Sequence, residues 1–132
     1  MAQQQQSVTF THKQWFVVNS DLKLSTGKIS AQIGHGAVHW AVHCMENKDE
    51  DFKKWFHNHQ PKIILQEKES GLRRLLQLYP TLTYPVVDTG KTECKPGSLT
   101  VVAFKPLPLE KYPPELAGLS LLKERKPIKI IH

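Results

Sequence analysis

Apolar positions along this chain fall into short unbroken runs that alternate with stretches of helical spacing. Trp15-Phe16-Val17-Val18 is apolar throughout and closes on the polar Asn19-Ser20-Asp21, the pattern of a strand buried on both faces. Ser25-Thr26-Gly27 then offers capping chemistry ahead of a long helix from Lys28 to about Glu46. Within it Ile29, Ile33, Ala37, Trp40, Ala41 and Cys44 share one face, the stripe expected to pack on a sheet. The charged run "NKDED" breaks the pattern, and a short helix is predicted from Asp51 to His57. Pro61 to Leu65 reads as a second strand, and Ser70 to Leu78 has helical spacing stopped by Pro80. Thr83 to Val87 and Leu99 to Phe104 read as strands three and four, necessarily antiparallel across so short a loop. A proline-rich stretch, "KPLPLEKYPPE", precedes a helical turn expected between Glu115 and Leu122. Strands alternating with helices predict a single α/β domain: a mixed sheet with helices on its faces.

Composition sharpens this only in part. A chain of 132 residues buries a core without staples. Its two cysteines, Cys44 and Cys94, make no disulfide framework and point to a reducing, cytoplasmic setting. No run reaches the ~20 apolar residues of a membrane span. The start, "MAQQQQSVTF", has no signal-peptide block, so residues 1–13 are expected to be a disordered lead. Lys and Arg outnumber Asp and Glu by 18 to 12, for a formal charge of +6. That surplus favours an anionic partner such as nucleic acid, although part of it lies in a basic tail at 123–132.

Two features raise chemical questions. "VVDTGKTECKPGSLTVV", residues 86–102, contains Gly90-Lys91-Thr92, the end of a phosphate-binding loop. The spacing excludes that motif, because Pro85 stands where the first glycine is required and a strand follows instead of a helix. Asp88-Thr89-Gly90 is by itself ordinary turn chemistry. The second feature is a stripe of Lys28, Gln32, His35, His39 and His43 along the long helix. It reads as a solvated polar face, as a metal site, or as a functional face that starts at the anion-favouring helix N-terminus. A metal is disfavoured, since a straight helix spreads the three histidines over ~12 Å and no carboxylate or thiol completes a set.

"SDLKLSTGKISAQIGHGAV", residues 20–38, resembles the first signature of the archaeal/eukaryotic-type (type II) peptidyl-tRNA hydrolases, G-K-x-A-A-Q-x-x-H-A on the first helix. "DTGKTECKPGSLT", residues 88–100, resembles the second, D-x-G-x-T-x-x-x-x-G-S-x-T, and "QPKIILQ" resembles the strand between them. The likeness runs from about residue 15 to 104. It implies a three-layer α/β/α sandwich around a four-stranded mixed sheet, a homodimer, no cofactor and no metal. The implied activity is hydrolysis of the ester joining a peptide to the 3'-terminal ribose of tRNA. A non-catalytic adaptor or an RNA-binding module is the alternative on the same fold. Ser30 and Gly36 replace family alanines, the segment from Lys68 to Thr83 is short, and the region after Phe104 is poor in helix formers.

The resemblance also implies a site. Lys28, Asp88, Thr92 and His35 are expected to be catalytic, with Gln32, Lys23, Lys62, Lys91, Ser98 and Thr100 binding substrate. Asp88 would position and polarise a water, directly or through Thr92, while Lys28 keeps it ionised and then favours the developing oxyanion. Gln32 and His35 would bind the ester region or orient the water. Ser98 and Thr100 would support Asp88 by hydrogen bonds. Lys23, Lys62, Lys91 and Lys95 are expected near the same edge, as phosphate contacts. A covalent Ser or Thr nucleophile is disfavoured for want of a triad-like base.

Overall fold

The computed structural model describes residues 9–90 and 93–123. The chain runs β1 (His12–Asn19), α1 (Thr26–Glu46), α2 (Glu50–Phe56), β2 (Lys62–Glu67), α3 (Glu69–Leu78), β3 (Thr83–Val87), β4 (Leu99–Phe104), β5 (Leu107–Pro108) and β6 (Ser120–Leu121). Two 3-10 turns, Leu109–Lys111 and Pro114–Gly118, separate the last two strands. The sheet order is β3-β4-β1-β2-β6, with β5 paired to β1. β1 and β2 are parallel, Phe16 opposite Ile64, while β4 runs antiparallel to both β1 and β3. The carboxyl ends of β1, β2 and β3 therefore share one edge.

The apolar run of β1 is explained by helices on both faces. Phe16 and Val18 join Trp40, Cys44, Phe52, Trp55, Val86, Val101 and Ala103 under α1 and α2. Trp15 and Val17 join Leu65, Leu72, Leu75, Val102 and Phe104 under α3. α1 rides unusually low on the sheet: a Cβ at Gly36 would stand 2.5 Å from the Cβ of Ala103. The Trp40 indole N–H donates to the Ala103 carbonyl at 2.8 Å and fixes that approach.

Three sequence expectations change, and a fourth falls outside the described residues. The sheet has the four expected strands plus two of two residues each, β5 and β6, which the irregular late segment donates. β1 begins at His12, so residues 12 and 13 belong to the sheet; His12 is buried against Asp51, with Nε2 to Oδ1 at 3.0 Å. The helical turn expected from Glu115 to Leu122 is a 3-10 turn followed by a two-residue strand that pairs with β2. The tail at 124–132 lies outside the described residues.

Candidate functional site

Asp88 follows β3 at the shared edge. The β3–β4 register shifts between Val86 and Val87, and the Asp88 N–H donates to Ser98 O at 2.9 Å to close the loop between the strands. Gly97 turns the chain back at φ 86°, where a side chain would be strained, and its N–H donates to Asp88 O. Across from this loop, Ser25 caps α1 by accepting from the Lys28 N–H, and Lys28 sits in the first turn. The Ser25 N–H in turn donates to Glu93 Oε2 at 2.9 Å, strapping the loop to the head of the helix.

The result is a nearly dry ion pair. Lys28 Nζ donates to Asp88 Oδ1 at 2.7 Å, with the Asp88 side chain 4 % exposed and that of Lys28 17 %. Gln32 Nε2 donates to the same oxygen at 3.4 Å, and the Gly90 N–H donates to it at 3.3 Å. Oδ2 accepts from the Cys94 thiol at 3.2 Å. The Lys28 bond, then those of Cys94 and Gly90, outweigh burial and hold the Asp88 carboxyl down at about 2. Asp88 is thus a permanently ionised orienting group and a weak proton acceptor.

The other candidate residues divide. Gln32 is 2 % exposed, and its Oε1 is buried with no hydrogen-bond partner among the described residues, an arrangement that costs stability unless something docks there. His35 is exposed one turn further along the same stripe. Ser98 touches Asp88 through its backbone carbonyl, and its hydroxyl bonds the Cys94 thiol. Lys23 is exposed on the loop between β1 and α1, and Lys95 on the loop after β3. Lys91 and Thr92 lie outside the described residues.

Two of the expected residues stand apart from the Lys28–Asp88 pair. Thr100 is fully buried and donates to Val86 O at 3.0 Å, so it braces the shifted hairpin. Lys62 pairs in register with Gln14 at the start of β2. It is roughly 17 Å, a strand's length, from the Asp88 edge. Its ammonium lies over the Trp55 ring at 5.2 Å instead.

The histidine row also splits. His39 stacks on Tyr84 of β3, ring centroids 3.6 Å apart and 7° from parallel, and burial, then His43, lowers its pKa. Among the described residues no three metal-ligating side chains converge. Sequence reasoning missed Cys94 and Glu93. Each sits at an open position of the second signature, and only the folded loop turns them toward Asp88 and Ser25.

A layered α/β domain that keeps a charged lysine–aspartate pair in a nearly dry corner, beside an unmatched amide oxygen, has the equipment of a hydrolytic enzyme. The family model for peptidyl-tRNA hydrolase PTH2 matches residues 12–122. A peptidyl-tRNA hydrolase of Thermococcus onnurineus is 41% identical over 105 residues, covering 76% of this chain and 89% of that protein. One from Staphylothermus marinus is 33% identical over 115 residues (84% and 95%). The mouse protein named peptidyl-tRNA hydrolase 2, mitochondrial, is 35% identical over 103 residues, 75% of this chain and 57% of its own length. The chain belongs to the peptidyl-tRNA hydrolase PTH2 family.

Proposed function

We propose that this chain hydrolyses the ester between a peptide and the 3'-terminal ribose of tRNA, with Lys28 and Asp88 at the centre of the reaction. The observation that carries the reading is the 2.7 Å Lys28–Asp88 pair at the mouth of the sheet. With its carboxyl held at about 2, Asp88 orients the attacking water and the Lys28 ammonium rather than taking a proton outright. The unmatched Gln32 Oε1 accepts from that water, and His35, in reach of solvent, meets the ester region. Lys28 then stabilises the oxyanion of the tetrahedral intermediate. The phosphates approach along the Asp88 edge past Lys23 and Lys95, with Lys91 a second lysine in the sequence between β3 and β4.

The chain acts as a homodimer in the cytoplasm. Val38, Val42 and Met45 on α1, with Phe56 on α2, are 64%, 51%, 68% and 48% exposed and offer an apolar surface for self-association. Free Cys44 and Cys94 suit a reducing compartment. Incubation with peptidyl-tRNA and, separately, with aminoacyl-tRNA bearing a free amine tests the activity. Release from the first alone is expected. Binding with no release from either makes the chain an RNA-binding module instead.

A further inference from the structure

We propose that Cys94 is a positioning residue for the hydrolytic site: its S–H holds Asp88 Oδ2 and so fixes the rotation at which Oδ1 meets Lys28 and Gln32. The inference rests on the function proposed above. Among the described donors, Oδ1 takes Lys28, Gln32 and Gly90, while Oδ2 takes the thiol at 3.2 Å. A carboxylate turns about a broad, soft torsion. A donor on its second oxygen therefore narrows the orientations open to it. The second signature, D-x-G-x-T-x-x-x-x-G-S-x-T, leaves position 94 open and so assigns no role to this contact.

The surroundings keep the thiol a donor. Burial first, and the Asp88 hydrogen bond and charge next, raise the Cys94 pKa, so S–H persists at neutral pH. The Ser98 hydroxyl beside the sulfur pulls the other way, favouring the thiolate, and is outweighed. Among the described residues Lys28 from α1 is the charged group against the carboxylate, and Glu93 of the same loop is engaged by the Ser25 N–H. A protonated thiol pressed against a carboxylate is poorly placed as a nucleophile.

Cys94→Val removes the donor at similar volume, and Cys94→Ser keeps one. With peptidyl-tRNA as substrate, Cys94→Val is expected to lower kcat about 10-fold with KM within about twofold, the size of one hydrogen bond to a charge. It should also move the acid limb of kcat to higher pH, because Asp88 loses a bond that favours its charged form. Cys94→Ser should restore both. The Asp88 carboxyl titration, followed by NMR in the full chain, should rise in Cys94→Val and not in Cys94→Ser; this readout needs no turnover. An unchanged titration in Cys94→Val overturns the positioning role whatever the hydrolysis assay gives. So does Cys94→Ser matching Cys94→Val, or a thioester trapped on Cys94 in the unsubstituted enzyme. Absence of hydrolysis by the unsubstituted chain, with the titration shift intact, would instead count against the proposed function alone.

Discussion

One carboxylate, that of Asp88, has its charge fixed by its neighbours. A family signature singled out Asp88 in the sequence, but its environment was not legible there. The thiol on Oδ2 comes from the carboxylate's own loop, whereas the amide at 3.4 Å and the ammonium at 2.7 Å come from neighbouring turns of α1, 56 and 60 positions away in sequence. Replacing Asp88 by Asn, or Lys28 by Met, should lower turnover by ~10²-fold or more with circular dichroism unchanged. Near-normal peptide release by either folded variant would remove that residue from the reaction. The same pairing sets a pH dependence of stability. The folded carboxyl titrates at about 2 against 3.8 for a free one, so the folded state binds fewer protons in that window. The stabilisation is complete above the free value, falls as pH drops through the window, and is gone below the folded value. Denaturant titrations between pH 5 and 2 should show the gap between the unsubstituted chain and Asp88→Asn closing as pH falls. A gap independent of pH would contradict this origin.

The strands and helices were read well where local pattern governs them and poorly where it does not. Thr83–Val87 and Leu99–Phe104 appear with the boundaries that their β-branched runs predicted. α1 carries its expected stripe on the sheet because 3.6-residue spacing is a property of the helix alone. The two glycines in the middle of α1, Gly34 and Gly36, show the limit of that reading, since one is spatially required and the other is not. Gly36 faces Ala103 at a distance no Cβ tolerates, whereas Gly34 faces open space. Gly36→Ala should therefore destabilise the fold by about 1–3 kcal/mol through overpacking. Gly34→Ala should stabilise it by about 0.5–1 kcal/mol through helix propensity. Thermal melts of the two variants check the pair, and equal shifts of the same sign would refute the close helix–sheet approach.

For the molecule as a whole, charge and exposed apolar surface set what can be tested. If Lys23 and Lys95 meet phosphates, the double charge reversal Lys23→Glu/Lys95→Glu should flatten the salt dependence of tRNA binding by about two counterions. Lys62→Glu, at the far end of the sheet, should leave that slope unchanged. If the α1 and α2 surface joins two copies, Val42→Glu should shift the mass seen in light scattering from dimer to monomer. An unshifted dimer would place the contact elsewhere. The amino-acid sequence alone was enough for the α/β class, the main elements and the family, because periodicity, turn residues and motif spacing are written along the chain. It was not enough for the distance between Lys28 and Asp88, the role of Cys94, the bracing by Thr100 or the displacement of Lys62 from the site. Those depend on strand order and register, which bring together residues about sixty positions apart. Long-range pairing arises only when both faces of β1 are buried at once, and no local pattern encodes which distant side chains then meet.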